Sequence, residues 1–513
     1  MDNKDSYILQ LENTVKNLEH QVNNLTEIIL LMRKKMFGSS SEKTPKAGAM
    51  VQLNFFDEAE TEAIANPLEP IVQKANVFYR KCPKTKREEI IKDIPVREIE
   101  CFIHEDDCYC PRCSTSLVKI GKEIIREELE FIPAKLHIIR YVRLSYGCPE
   151  CKKKGTPYIE KAQTPTSLMN HSLASSTTVA HVMYQKYVNS MPLYRQEKDW
   201  EQLGFALSRA TMANWIIRCS QDWLAPVVNS LRQKLLKRDI VHCDETPVQV
   251  LKEKDKAPQT KSYMWLYRTG IDDTQPIVLY DYQSSRSGKN AADYLKGFKG
   301  YLHSDAYSGY EKVENVIRCC CWAHIRRYFV DAIPNLKNKD APTSNAEVGR
   351  DYCNKLFEIE RELAEFSEGK RQTERLIQEK PVLEAFWSWL EKLTPSGGSR
   401  LAKAKTYALN QRPYLENYLL DGRCSISNNI AENSIRPFTV GRKNWLFCDT
   451  PKGADASAIV YSLVETAKAN NLNVYSYLNY LLLYMPGLDY INYPELMDDM
   501  MPWSERVQNE CKN

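Results

Sequence analysis

The segment Asp239-Ile-Val-His-Cys-Asp-Glu-Thr-Pro-Val-Gln-Val250 sets the tightest limit on what this chain can fold into. Its β-branched Ile240 and Val241 read as a buried strand, and Pro247 is expected to stop regular pairing soon after Asp244. The two-residue period puts Ile240, His242 and Asp244 on one face, and Glu245 on the other. A carboxylate near the end of an otherwise apolar strand needs compensation, and a metal cation is one source of it. Asp244 is therefore a candidate ligand and Glu245 is not.

More strands follow. Ser262–Arg268 alternates Tyr263, Trp265 and Tyr267 with Met264, Leu266 and Arg268; Pro276–Tyr282 reads as a third strand. A short helix over Asn290–Phe298 leads to a fourth strand, Gly300–Asp305, which ends in a second acid, and Asn315–Trp322 reads as a fifth. Sequential strands followed by strands separated by helical segments predict a mixed α/β sheet. Residues 323–422 are mostly helical and read as an insertion over about 335–422. Asn428–Arg436 is expected to be helical until Pro437, and Leu472–Met485 is an aromatic, Leu-rich helix with a core stripe at Tyr475, Leu478, Leu482 and Met485.

Asp244 and Asp305, on neighbouring parallel strands, would share one sheet edge. If the helix bearing Glu432 crosses that edge, three carboxylates converge. Two hard divalent ions would relieve their repulsion and suit in-line phosphoryl transfer, with Mg²⁺ fitting oxygen donors better than zinc. Spacing alone is weak evidence, because a chain with 66 acidic residues will have some of them after strands by chance. His242 and His303 each precede an acid by two residues and share its face, which makes them candidate supports. His324 reads equally well as a structural histidine, and Trp445 as a core residue.

The N-terminal half has other signals. Ile8, Val15, Val22, Ile29 and Met36 interleave with Leu11, Leu18, Leu25 and Met32 in a strict heptad. β-branched residues in the first set and Leu in the second favour a parallel two-stranded coiled coil, hence a homodimer through residues 8–36; one amphipathic helix packed on its own domain is the alternative. Cys110-Pro-Arg-Cys113 and Cys148-Pro-Glu-Cys151 supply four thiolates, a set that suits tetrahedral structural Zn²⁺ in a zinc-ribbon-like hairpin, with Cys108 a spare thiol beside it. The intervening Glu127–Ile132 and Leu136–Tyr146 read as strands. Leu193–Leu203, Gly204 and a Ser208-capped helix from Arg209 give a helix-turn-helix cue. The start of its second helix would face DNA, with Arg209, Thr211 and Asn214 as candidate contacts; a plain helical packing unit is the alternative. Arg436, Arg442 and Lys443 are candidate phosphate contacts or partners of nearby acids.

The 70 basic and 66 acidic residues leave a net charge of +4, so any nucleic-acid surface must be local. With no apolar leader or membrane-length apolar run, the 16 cysteines point to a reducing cytoplasm, where pairs suggest metal rather than disulfides. The expected organisation is multidomain α/β: coiled coil 1–38, linker 39–100, zinc-binding segment 101–160, helical unit 161–237, catalytic domain 238–470 and helical tail 471–513.

Several blocks resemble the IS66 family of transposases. They are His242-Cys-Asp-Glu-Thr246, Ser304-Asp-Ala-Tyr-Ser-Gly-Tyr310, Trp322-Ala-His-Ile-Arg-Arg327 and Glu432-Asn-Ser-Ile-Arg-Pro437 with Gly441-Arg-Lys-Asn-Trp-Leu-Phe447. Met36-Phe-Gly38, Leu53–Ala59, Pro192–Gln196 and Glu465–Asn470 extend the likeness over nearly the whole chain. One departure is Ser-Ser-Ser after Phe37-Gly38, where a more basic stretch would be typical. The resemblance implies an RNase H-like mixed sheet with a helical insertion and a DDE triad, which motif matching places at Asp244, Asp305 and Glu432. It further implies two Mg²⁺ ions (or Mn²⁺), structural zinc, cleavage and strand transfer at terminal inverted repeats and target DNA, and accessory proteins encoded by the same element. A nucleoid-associated cytoplasmic enzyme is the expectation. A non-catalytic DNA-binding regulator would leave the chain after position 238 without a purpose, and a nuclease that cuts without joining would need the same acids.

Overall fold

The computed structural model describes residues 165–512 except 272 and 335–343, together with 136, 138–142, 145–147 and 159–161. The expected coiled coil, the linker and the zinc-ligand candidates Cys110, Cys113, Cys148 and Cys151 lie outside the described residues. Of the zinc-binding segment, a short antiparallel pair is described, β1 (Ser145–Gly147) with β2 (Ile159–Lys161). Residues 138–142, expected to be extended strand, carry no regular structure; β2 offers a three-residue partner and pairing begins at Ser145.

Strands β3 (Ile240–Gln249), β4 (Lys261–Thr269), β5 (Val278–Gln283), β6 (Gly300–Ser304) and β7 (Val316–Cys320) form one mixed sheet in the order β5-β4-β3-β6-β7. β3, β4 and β5 are antiparallel neighbours, and β6 and β7 run parallel to β3. Helix α5 (Gly288–Tyr294) lies on the crossover that carries the chain from β5 to β6. Parallel pairing cannot be closed by a tight turn, so such a connection is required.

Pro247 does not end β3. Pairing with β4 runs on through Gln249, opposite Lys261. Pairing with β6 covers only Ile240–His242, so from Cys243 onward β3 has a strand neighbour on one side only. A proline, which lacks the N–H needed for a two-sided ladder, is tolerated there. Two other expectations are corrected. Trp322 belongs to helix α6 (Trp322–Ala332) rather than to the fifth strand, because β7 ends at Cys320 and Cys321 takes the N-cap. Helix α10 (Asn429–Trp445) continues through Pro437; the carbonyl this leaves without its helical donor belongs to solvent-facing Asn433, where water can serve it.

Two hydrophobic cores flank the site. The first joins β3–β5 to α1 (Ser176–Tyr187), α2 (Leu193–Gln202), α3 (Arg209–Cys219), α4 (Ala225–Leu235), α11 (Pro451–Ala469) and α12 (Val474–Tyr484). The helix-turn-helix cue is present: Gly204, at φ +80°, turns α2 into a Ser208-capped α3. Met212, Trp215 and Ile216 of α3 are buried in the same core as the sheet. So are Leu478, Leu482 and Met485 of the C-terminal stripe, while Tyr475 is half-buried against it. The second core joins Cys319 and Cys320 of β7 to α6 and to the insertion helices α7 (Asn345–Glu362), α8 (Glu368–Lys392) and α9 (Arg400–Leu415).

Both outer strands are covered by side chains. Ser462 and Thr466, one turn apart on α11, exchange hydrogen bonds with the β5 backbone: Tyr280 N–H donates to Ser462 Oγ (2.7 Å) and Val278 N–H to Thr466 Oγ1 (3.0 Å). At the other edge Asn417 Nδ2 donates to the Arg318 carbonyl of β7 (2.7 Å). Among the described residues no helix is long and apolar enough to cross a membrane.

Candidate active site

The sheet supplies two acids. In the parallel register His242 lies opposite His303, so the residues two further on, Asp244 and Asp305, emerge at one edge of the sheet where β6 ends. Both are half-buried. Asp244 Oδ1 accepts from the Glu245 N–H (2.8 Å), and Asp305 Oδ1 from the Tyr307 N–H (3.0 Å). Burial pushes the Asp244 carboxyl well above its ordinary range, and the charges of Glu245, Asp305 and Glu432 push it further. The other two acids of the expected cluster therefore both act on Asp244.

Beneath them the rings of His242 and His303 stack at 4.3 Å, both buried. Burial lowers His242 to about 4, and burial together with His242 holds His303 well below its usual range, so neither ring carries charge at neutral pH. Glu245 points to the opposite face, as alternation requires. Its carboxylate accepts from Arg286 Nε (2.8 Å) and Nη2 (2.5 Å) and from the Tyr310 hydroxyl (2.5 Å). It has cationic compensation that Asp244 lacks.

Two helix starts supply the rest. Glu432 sits in the first turn of α10, where the helix dipole favours a carboxylate. His324 Nε2 lies 3.5 Å from its Oε1 and Arg327 Nη2 3.6 Å from its Oε2. Burial lowers the His324 pKa against the pull of Glu432, which leaves Arg327 as the cation of the pair. Neither Glu432 Oε1 nor His324 Nδ1 has a hydrogen-bond partner, although both atoms are buried. Cys321 Sγ, His324 and Glu432 form a group whose ligand atoms all lie within 4.8 Å of one another; His303, Cys319 and Cys424 form a second. Among the described residues no group this tight contains both aspartates.

Asn428 joins the sheet to these helices. Only 2% exposed, it is the N-cap of α10 but makes no side-chain cap bond. Its Nδ2 instead donates to the Cys243 carbonyl (2.8 Å), its Oδ1 faces His242 Nδ1 (2.9 Å), and its N–H meets Cys321 Sγ (3.1 Å). A carbonyl can only accept, so the amide nitrogen must face Cys243 and the His242 proton must sit on Nδ1. The Trp322 N–H to Ile426 carbonyl bond (3.1 Å) ties the same two helix starts together. The sequence shows Asn428 only as the first residue of an expected helix, and a polar residue at a helix start usually signals a cap. The Arg286–Glu245–Tyr310 set was not foreseen, because it depends on a face-to-face approach of segments far apart in sequence.

The other expected contacts are dispersed. Arg436 and Lys443 are exposed on α10. Arg442 is half-buried and donates to Thr246 Oγ1 (3.3 Å) and the Pro247 carbonyl, so its guanidinium serves β3. Arg209 is exposed at the start of α3, its guanidinium 5.7 Å from the centre of the Tyr194 ring; Thr211 bonds the capping Ser208, and Asn214 is exposed.

Residues 171–456 match the family model described as "Transposase IS66 family". The chain belongs to the IS66 transposase family. Residues 107–152 match the "zinc-finger binding domain of transposase IS66", which takes in all four zinc-ligand candidates. Residues 24–99 match "Transposase C of IS166 homeodomain", a span that crosses the expected boundary between coiled coil and linker. Among curated proteins, the uncharacterized protein y4jD of Sinorhizobium fredii is 27% identical over 96% of this chain and 97% of its own length. The uncharacterized protein y4qI of the same organism is 28% identical over 93% and 88%.

Proposed function

We propose that this IS66-family chain cuts the ends of an insertion sequence and joins them to target DNA, with Asp244, Asp305 and Glu432 as the DDE triad. The observation that carries the reading is the parallel register of β3 and β6. It brings Asp244 and Asp305 to one sheet edge, beside a helix start whose Glu432 raises the Asp244 pKa. Three antiparallel strands followed by two parallel ones, in the order β5-β4-β3-β6-β7, support an RNase H-like domain into which α7–α9 are inserted.

The donor set fits divalent Mg²⁺ or Mn²⁺. The acids offer hard oxygens, Asp244 has no cationic partner of its own, and Glu432 Oε1 is buried without a hydrogen bond. Two such ions, when bound, supply activation of a water or 3′-hydroxyl and stabilisation of the leaving oxygen. The chain's own part is to fix the carboxylates. The uncharged His242–His303 stack packs beneath β3 and β6, and Asn428 sets α10 against them. In this reading Arg436 and Lys443 on α10 contact phosphate near Glu432, and Arg209, Thr211 and Asn214 at the start of α3 contact DNA. Cys110, Cys113, Cys148 and Cys151 hold structural zinc, and residues 8–36 pair two copies as a coiled coil, which suits a reaction on two ends.

The test is a cleavage and strand-transfer assay on the element's own ends with Asp244→Asn. Chemistry should vanish while end binding persists. A variant that stays fully active with Mg²⁺ sinks the triad assignment; cleavage without joining by the wild type would favour a nuclease.

A further inference from the structure

Glu432 belongs to a second constellation as well. Cys321 and His324 are spaced Cys-x-x-His across the first turn of α6, and Glu432 faces them from the first turn of α10. Their sulfur, ring nitrogen and carboxylate oxygen all lie within 4.8 Å of one another. Thiol, imidazole and one carboxylate make a borderline-soft set of three, the number that zinc takes when a fourth position stays open to water. Hydrogen bonding leaves the set underused. Glu432 Oε1 and His324 Nδ1 are buried without hydrogen-bond partners, and Cys321 Sγ only accepts, from the Asn428 N–H (3.1 Å) and from the backbone N–H groups of His324 and Ala323. Burial pushes the Cys321 thiol up to about 11, so the incoming ion itself must displace the proton.

We infer that Cys321, His324 and Glu432 form an inhibitory site for zinc or a similar soft divalent ion. The inference rests on the triad reading for its consequence, because an ion held there withdraws Glu432 from the two aspartates. Magnesium competes poorly for the site, since sulfur and imidazole nitrogen are weak partners for a hard cation. Binding exchanges the Cys321 proton for the metal and leaves the carboxylates of Asp244 and Asp305 free. The metal thus selects between two arrangements of one glutamate. Magnesium favours Glu432 with the sheet acids, and zinc favours it with α6.

The full-length protein, purified with its resident zinc, is titrated with Zn²⁺ under fixed excess Mg²⁺ while strand transfer is followed. Zinc at concentrations far below magnesium should inhibit. Cys321→Ser keeps an acceptor for the Asn428 N–H and should retain the magnesium-only rate, but need at least about 10-fold more zinc for the same inhibition. Binding is read separately with Co²⁺, whose thiolate charge-transfer band should include a component that both Cys321→Ser and His324→Ala remove. If the wild type shows no such component, or Cys321→Ser binds and is inhibited as the wild type is, the site does not exist. If the component is present and lost in both variants, yet zinc leaves strand transfer untouched, the inhibitory role is wrong. An active Asp244→Asn variant alongside an intact cobalt result would instead put the fault in the triad.

Discussion

The two halves of the site handle charge in opposite ways. On the sheet half, Asp244 and Asp305 are fixed by backbone N–H groups, and burial with neighbouring acids pushes the Asp244 pKa up. On the helix half, Glu432 already has His324 and Arg327 beside it. Glu245, next in sequence to Asp244, behaves like the helix half, with Arg286 and Tyr310 on its carboxylate. The sheet half is thus built to want a cation, and the helix half to give one up. On the proposed triad, a bound cation would draw the two halves together.

The largest effect that would break this contrast concerns activity. Glu432→Gln should lower strand transfer by about 10³-fold, as loss of a metal-borne stabilisation of several kcal/mol implies, with DNA binding intact in a mobility-shift assay. Asp244→Asn should separate the halves by stability. The folded-state pKa of Asp244 lies above its ordinary value of 3.8, so the fold favours the neutral form. Its contribution is fully present below pH 3.8 and is lost as pH rises toward the folded value. The metal-free variant should therefore melt higher than the metal-free wild type at pH 7, and Mg²⁺ should stabilise the wild type alone. A calorimetric result with the opposite sign would mean that Asp244 has a cation already.

Breaking the joint between halves should cost less. Asn428→Ala strands the Cys243 carbonyl and His242 Nδ1, for a loss of about 1–3 kcal/mol in denaturant melts, and should raise the Mg²⁺ needed for half-maximal rate. Equal magnesium requirements would reduce Asn428 to a structural role. The smallest effect is expected at Arg327, whose side chain is 58% exposed and 3.6 Å from Glu432. Arg327→Ala should change stability by no more than about 1 kcal/mol while lowering the magnesium requirement a few-fold, readable in a metal titration of the rate.

Much of the sheet was legible because β-branched and aromatic alternation reports burial directly. The five strands of the sheet fall where the pattern puts them, apart from Trp322 at the end of the fifth, the insertion is helical as expected, and the contrast between Asp244 and Glu245 follows from the two-residue period. What the pattern misses is context. Pro247 looks like a stop until one sees that β3 has lost its β6 neighbour by that point. Trp322 looks like strand because it is apolar, yet the chain turns at Cys321 to start α6. Asn428 looks like a helix cap, and its side chain leaves the helix to bind β3 instead. Periodicity reports which face of an element is buried. It does not report which element comes to cover it.

The hydroxyl pair Ser462 and Thr466 on β5, and Asn417 on β7, have a consequence for assembly. A sheet with bare edges can recruit strands from another copy and grow without limit, a hazard for any protein that must gather on one DNA. Here the outer ladders are partly occupied from within the same chain. If copies meet at an insertion-sequence end, as proposed, these two edges offer them less free backbone to pair with, and side-chain surfaces are left as the more specific and reversible means of recognition.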